Sequence, residues 1–144
     1  MGALLGLRWG EVAGLRIGSL HLLARTLTVT ETVTTDEDTR PILGPLKSEA
    51  GIRSLSMPEL LVDILAKHLA RAGLTAADAD SLVFSAPGGD HWSYGNYRCR
   101  RWQTATKKVG LAGIGFHDLR RTASTQPVLG DVDLKTTGDP AGTL

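Results

Sequence analysis

Three separated groups of residues in this sequence offer side chains suited to chemistry at a phosphate. An arginine guanidinium is permanently charged, and its forked donors match two phosphate oxygens. A histidine imidazole titrates near neutral pH and can therefore take up or release a proton. The three groups are residues 6–11 (GLRWGE), Lys47 with the Gly51-Ile-Arg53 segment that follows it, and residues 116–122 (FHDLRRT).

Each group also has an interpretation without chemistry. Arg8 beside Trp9 is typical of a packed surface pair, and a lysine such as Lys47 in a hairpin is usually solvated. His117 and Arg120 are three residues apart, which places both side chains on one helical face. The histidine would equally suit a hydrogen-bonded position at the start of a helix. The elements that position these residues therefore decide between the two interpretations.

A small antiparallel sheet is predicted in the first half of the chain. Residues 26–34 (TLTVTETVT) alternate apolar and polar side chains and are rich in β-branched types, which predicts a strand. A second strand is predicted over residues 40–47, where Pro41 and Pro45 favour an edge position. The third strand covers residues 52–57. The sheet is therefore three-stranded, with Lys47 at the end of its second strand.

The rest of the chain is predicted to be mainly helical. Residues 4–15 fit the end of one helix, a turn and a short second helix. Ser56-Met-Pro-Glu59 is a capping-box pattern that begins a helix running to about Ala72. Further helices are predicted over residues 94–109 and from Phe116, where Pro127 should end or kink the last one. The predicted fold class is α+β, mainly α.

Two of these helices carry predicted core faces. The apolar stripe of the first is formed by Leu60, Leu61, Ile64, Leu65 and Leu69. The buried face of the 94–109 helix is predicted to consist of Tyr97, Trp102 and Ala105.

Charge is distributed unevenly although the net charge is only +1. Between residues 98 and 121 a single acid, Asp118, accompanies the basic residues Arg98, Arg100, Arg101, Lys107, Lys108, Arg120 and Arg121. Such asymmetry gives a nearly neutral protein one face that can bind nucleic acid phosphates. The alternative is an ordinary solvated helix face.

Composition excludes several other classes of function. Cys99 is the only cysteine, so the chain can form no internal disulfide and close no cysteine metal site. No apolar run approaches the roughly 20 residues that a bilayer requires. We therefore expect a cytoplasmic protein with no metal and no membrane partner.

The three groups together resemble the catalytic domain of the tyrosine recombinases, the phage-integrase family. GLRWGEVAGL is similar to the first-arginine motif of that family, KSEAGIRSLSMP to its lysine run, and FHDLRRT to its H-x-x-R box. The resemblance covers about residues 4–136. It implies a helical catalytic domain with a small antiparallel sheet, acting on double-stranded DNA without a metal, a cofactor or a small-molecule substrate.

The resemblance also implies a role for each site residue. In this family a tyrosine attacks a DNA phosphate and forms a covalent phosphotyrosyl link, which divides strand exchange into two steps. Arg8 and Arg120 would stabilise the charge of the transition state. Lys47 would donate a proton to the leaving 5′ oxygen, His117 would assist proton transfer, and Glu11 would support Arg8.

The sequence departs from the family pattern after the box. The nucleophilic tyrosine is expected about thirty residues beyond Arg120, and no residue here is assigned as nucleophile. Tyr94 and Tyr97 precede the box and are not credible substitutes. We therefore interpret residues 1–136 as a C-terminally truncated catalytic domain and residues 137–144 as a divergent, disordered tail.

Three hypotheses follow for the function of the chain. The first is an inactive fragment of a site-specific recombinase, left as a prophage remnant. The second is a non-catalytic DNA-binding module that modulates a full-length recombinase protomer. The third is a poorly folded remnant without function, which would lack DNA binding.

Overall fold

A computed structural model describes residues 1–38, 40–46 and 48–125. Its helices are α1 (Gly2–Leu5), α2 (Trp9–Ala13), α3 (Glu59–Ala72), α4 (Tyr94–Tyr97), α5 (Gln103–Lys108) and α6 (Phe116–Thr125). Its strands are β1 (Leu20–His21), β2 (Thr26–Val29), β3 (Glu31–Thr35), β4 (Pro41–Pro45) and β5 (Arg53–Ser56). Pro127 and the predicted tail at residues 137–144 lie outside the described residues, as does Lys47.

The strands form two antiparallel sheets. One is three-stranded in the order β1-β2-β5, and the other is the hairpin β3-β4. The predicted strand over residues 26–34 was therefore wrong as a single element, because the chain leaves the first sheet at Thr30 and enters the second at Glu31. A small three-stranded antiparallel sheet is present, but its strands differ from those predicted. It includes β1, which has only two residues and no alternating pattern to detect, while the predicted second strand over residues 40–47 forms β4 of the separate hairpin.

The core lies between the three-stranded sheet and α3. Leu27 pairs with Leu55 across β2 and β5, and both side chains are buried. They pack in one cluster with residues of α3. The buried members of that helix are Leu61, Leu65 and Leu69. The predicted core stripe was too wide, because the sheet covers only one side of the helix: Leu60 and Ile64 are 61% and 51% exposed.

The start of α3 differs from the predicted capping box. Ser56 is the last residue of β5, and Pro58 stands at the N-cap position without a side-chain hydrogen bond. The fixed φ of proline suits a helix start, so the helix forms at the predicted place without the predicted cap. The helix ends at Gly73, which adopts the left-handed conformation common at helix C-termini, with φ of 69°.

The predicted helix over residues 94–109 contains a π-helical turn. Arg98–Trp102 has the wider π geometry and joins α4 to α5. A π turn adds a residue and rotates the side chains that follow it. For that reason the prediction for Ala105 was wrong: Thr106 is buried in its place, and its hydroxyl donates to the Trp102 carbonyl at 3.0 Å. Tyr97 and Trp102 are half-buried.

Glycines allow the N-terminal elements to approach their neighbours closely. A Cβ on Gly2 of α1 would lie 3.1 Å from the Phe116 ring of α6. Gly6 ends α1 with a φ of 66°, which favours glycine, and a Cβ there would lie 3.9 Å from Cγ of Arg120. Helix α6 therefore packs along α1, which places Arg120 beside the turn that precedes Arg8.

The second close approach joins α2 to the hairpin. A Cβ on Gly10 would lie 2.4 Å from the Val33 carbonyl oxygen and 2.6 Å from the Thr32 hydroxyl. The distance leaves no room for a side chain, so the hairpin is fixed against α2.

Within the described residues, no helix has the length and apolar character needed to cross a membrane.

We expect Gly10→Ala to destabilise the protein by about 1–3 kcal/mol, the usual cost of forcing a methyl into a packed contact. The matched control is Gly95→Ala in α4, where a Cβ would meet nothing within 4 Å. Urea unfolding of both variants measures the difference. Equal midpoints for the two variants would contradict the proposed close approach of α2 and β3.

Candidate active site

A buried carboxylate lies at the centre of the candidate site. The Glu11 side chain is only 1% exposed, although glutamate rarely occupies a core position. Arg53 of β5 donates to both of its oxygens, from Nη1 to Oε1 at 3.1 Å and from Nη2 to Oε2 at 3.0 Å. This two-point ion pair joins residues 42 positions apart and fixes α2 to the three-stranded sheet.

Arg8 lies on the solvent side of this pair. Its backbone N–H donates to Glu11 Oε2 at 2.9 Å, which caps the first turn of α2. Its guanidinium Nη1 is 3.5 Å from Glu11 Oε1, and the side chain is 58% exposed. Glu11 was predicted to support Arg8, yet its nearest guanidinium is that of Arg53. The glutamate therefore holds Arg8 mainly through the backbone and leaves its guanidinium accessible.

Burial alone would raise the pKa of the Glu11 carboxyl. Hydrogen bonds from the Arg53 side chain and the Arg8 backbone, together with the positive charges of both arginines, outweigh that effect and hold the pKa below its usual value of 4.5. Glu11 is therefore an anion at neutral pH, and it offsets part of the positive charge around it.

Arg120 brings a third guanidinium to the same place from α6. Its pKa is lowered, first by partial burial and then by the positive charge of Arg8, with a smaller contribution from Arg53. The charge of Glu11 acts in the opposite direction. The predicted residues Arg8 and Arg120 are thus brought within electrostatic reach of each other, from the two ends of the described chain.

Of the other two predicted catalytic residues, the structure describes His117 but not Lys47. His117 is exposed in the first turn of α6, on the turn before Arg120. The start of that helix is held by Asp118, whose Oδ2 accepts from the Gly115 N–H at 2.8 Å. Lys47 lies outside the described residues, between Leu46 and Ser48.

Comparison with solved structures identifies the fold of this chain. No family model and no curated protein matches the sequence. Among solved structures, the chain is similar to the Tn1549 transposon integrase in complex with circular intermediate DNA, with a TM-score of 0.66 and 18% identity over 85% of this chain and 43% of that one. It is also similar to XerA recombinase, with a TM-score of 0.67 and 21% identity over 98% of this chain and 48% of that one.

Both of these proteins are tyrosine recombinases. The chain has the fold of a tyrosine-recombinase catalytic domain. It spans less than half the length of either structure. The predicted fold class, mainly helical with a small antiparallel sheet, is confirmed.

In this recombinase fold the predicted basic residues lie on three consecutive helical segments. Arg98, Arg100 and Arg101 belong to the π turn, Lys107 and Lys108 end α5, and Arg121 is on α6. All six are exposed. The guanidinium of Arg101 lies 5.8 Å from the centre of the Trp92 ring, which gives this cation an aromatic partner.

An aromatic cluster joins these helices to the candidate site. The Tyr97 ring lies 6.0 Å from Trp9, the neighbour of Arg8, and 6.4 Å from Phe116, the neighbour of His117. Tyr94 packs edge-on against Trp9 at 5.3 Å. Burial raises the pKa of Tyr97. Both tyrosines are therefore packed against the ring next to Arg8, and the half-buried Tyr97 is harder to ionise.

Sequence reasoning missed the position of Arg53 in the site. The residue was recognised in the Gly51-Ile-Arg53 segment, but no role was assigned to it. Its pairing with Glu11 depends on the fold, so no local spacing could reveal it. The one available signal was a glutamate predicted in a short apolar helix, since a buried carboxylate requires a cation.

Metal binding has no support in the part of the chain that the structure describes. No group of three or more histidine, cysteine, aspartate or glutamate side chains is arranged to hold a metal ion there. Cys99 is exposed.

We expect Glu11→Gln to destabilise the protein more at neutral pH than in acid. The depressed pKa means that ionised Glu11 contributes stability above about pH 4.5, and this contribution is lost as pH falls through the folded-state pKa. Breaking a buried ion pair costs about 3 kcal/mol at neutral pH, and the cost should shrink towards about pH 3 because protonated glutamate resembles glutamine.

Urea unfolding at the two pH values measures this difference, with Glu37→Gln in the exposed hairpin turn as the control. The control should cost little at either pH. A Glu11→Gln penalty that stays constant with pH would show that folding does not lower the pKa of the Glu11 carboxyl.

Proposed function

We propose that this chain is part of the catalytic domain of a site-specific DNA recombinase of the phage-integrase type. It binds DNA phosphate at the Arg8–Arg120 site, and the complete enzyme breaks and rejoins DNA through a phosphotyrosine intermediate. The single observation that carries the proposal is the convergence of guanidiniums from distant parts of the chain, in a fold shared with known recombinases.

The electrostatics of the site favour an anionic ligand. Three guanidiniums surround one carboxylate, so the cluster of Arg8, Glu11, Arg53 and Arg120 carries a net charge of +2. Partial burial and then the positive charge of Arg8 lower the pKa of Arg120, so part of that shift reflects repulsion between the two guanidiniums. An anion bound between Arg8 and Arg120 would relieve that repulsion, and a phosphate fits the forked donors of both.

The same arrangement suits a phosphoryl-transfer transition state. Negative charge builds up on the non-bridging oxygens when a nucleophile attacks a phosphodiester, and positioned guanidiniums stabilise that charge. In this proposal His117 assists proton transfer from its exposed place one turn before Arg120, and Lys47 protonates the leaving 5′ oxygen. Glu11 is a supporting residue and does not touch the substrate.

The 144-residue chain is proposed to bind DNA without cutting it. Tyr94 and Tyr97 are its only tyrosines. Both rings pack on Trp9, and burial raises the pKa of Tyr97, which opposes formation of a nucleophilic phenolate. No residue of the chain is therefore assigned as nucleophile.

The packing of both tyrosines on Trp9 is equally compatible with the second hypothesis, a non-catalytic module that modulates a full-length recombinase. Such a module would occupy recombination sites without reacting, or pair with a full-length protomer that carries a tyrosine. Mixing the chain with a full-length recombinase distinguishes this function from that of an inactive fragment. Only a modulator would change the rate of strand exchange at concentrations below those that saturate the DNA.

DNA binding is expected to be weak and strongly dependent on salt. The basic segments from Arg98 to Arg121 should give an affinity of about 10⁻⁴ to 10⁻⁶ M, because phosphate contacts release counterions. Removing Lys107 and Lys108 together should reduce the slope of log affinity against log salt by about 1–2. The control removes Lys67 and Arg71, two exposed cations of α3.

Fluorescence anisotropy with a labelled duplex measures both slopes. Binding that does not change with salt would contradict the phosphate contacts. An equal loss in the two double variants would contradict the assignment of the basic face to the segments from Arg98 to Arg121.

The purified chain is expected to form no covalent adduct with a nicked suicide substrate. Arginines stabilise a transition state only when a nucleophile attacks, and in this proposal neither tyrosine is assigned as the nucleophile. Denaturing electrophoresis after incubation checks this result. A denaturant-resistant protein–DNA band that Tyr94→Phe or Tyr97→Phe abolishes would identify the nucleophile and make the chain an enzyme by itself.

A further inference from the structure

We propose that Arg53 is a positioning residue for Arg8: by fixing the Glu11 carboxylate from behind, it holds the first turn of α2 so that the Arg8 guanidinium faces the ligand beside Arg120. The inference rests on the proposed phosphate-binding role of Arg8. It adds a residue from the sheet to a site that the motifs assign only to α2, to α6 and to Lys47.

The hydrogen bonds of Arg53 point into the protein. Nη1 donates to Glu11 Oε1 at 3.1 Å and to the Gly51 carbonyl at 3.2 Å, and Nη2 donates to Glu11 Oε2 at 3.0 Å. Its side chain is 25% exposed, compared with 58% for Arg8. Arg53 is therefore committed to the glutamate, whereas more than half of the Arg8 side chain is exposed and accessible to a ligand.

Glu11 connects Arg53 to Arg8, because its carboxylate contacts both residues. Oε2 accepts from Arg53 Nη2 and from the Arg8 backbone N–H at the same time, at 3.0 and 2.9 Å. Oε1 likewise lies between Arg53 Nη1 and Arg8 Nη1, at 3.1 and 3.5 Å. Each carboxylate oxygen thus faces both arginines. A change in the Glu11 rotamer would therefore alter both contacts of Arg8 with Glu11, one through its backbone N–H and one through its guanidinium.

Lysine cannot replace Arg53 in this role. A guanidinium binds both carboxylate oxygens in one plane, while an ammonium is a point charge on a flexible stem. Arg53→Lys therefore keeps the positive charge of the site and removes the two-point contact. This substitution separates positioning from a general contribution of positive potential.

The test compares Arg8→Ala, Arg53→Lys and the combined variant in binding of a short labelled duplex over a range of salt concentrations. We expect Arg8→Ala to weaken binding by roughly tenfold, the loss of a charged hydrogen bond. Arg53→Lys should give most of that loss, and the combined variant should be no weaker than Arg8→Ala alone.

The side-chain N–H signal of Arg8 in nitrogen-15 NMR provides a second readout in the free protein. It should move and broaden in Arg53→Lys and remain unchanged in Arg71→Lys, an exposed arginine of α3. A role in stability alone would leave binding and this signal intact in the folded fraction of the protein.

A further variant removes both charged partners, Glu11→Met with Arg53→Met, because replacing a buried pair by apolar side chains commonly preserves folding. It should fold and still bind DNA as weakly as Arg8→Ala. Wild-type affinity in Arg53→Lys, or losses that add in the combined variant, would overturn the positioning role while leaving the proposed function intact. An unchanged affinity of Arg8→Ala would overturn both.

Discussion

The carboxylate of Glu11 is buried among guanidiniums that come from three different elements of the fold. Removing a carboxylate from water is costly, and the ion pair offsets that cost only when its geometry is good and the remaining hydrogen bonds are made. Here the two oxygens receive two donors from Arg53 and one from the Arg8 backbone. The glutamate therefore links α2 to the sheet and sets the balance of charge that Arg120 experiences.

Close packing of the surrounding elements brings the residues of the Glu11 cluster together. Gly10 lets α2 lie directly on the hairpin, and Gly2 and Gly6 let α6 lie along α1. The first ten residues thus contact both the sheet region and the last described helix. On the opposite side, the rings of Trp9, Tyr97 and Phe116 join α2, α4 and α6. Trp9 directly follows Arg8, and Phe116 lies one turn before Arg120 on α6, so the ring cluster packs against both of the segments that carry these arginines.

Local motifs can be recognised in the sequence, whereas the contacts between them cannot. Arg8, His117 and Arg120 stand in local motifs whose spacing is visible without a structure. Arg53 was not predicted as a partner of Glu11, since the pairing spans 42 positions and exists only after β5 packs against α2. Similarly, the pattern of residues 26–34 predicts one strand, and only the fold reveals that its two halves belong to different sheets.

Two other differences have simple physical causes. Hydrophobic periodicity includes Leu60 and Ile64 in the stripe of α3, but a sheet covers a narrower face than the stripe. A regular helical period places Ala105 in the core, and the π turn at Arg98–Trp102 moves that position to Thr106. In both cases the element was predicted and its orientation was not, because orientation depends on the neighbouring element.

Arg8 and Arg120 are proposed to form one phosphate site together, and a crystal structure of the chain with a short DNA duplex would examine both guanidiniums at once. We expect one phosphate whose non-bridging oxygens accept from both guanidiniums, with Glu11 still paired to Arg53 behind them. Arg8 and Arg120 bound to different phosphates, or a duplex lying on the basic helices with no phosphate at the glutamate, would contradict it.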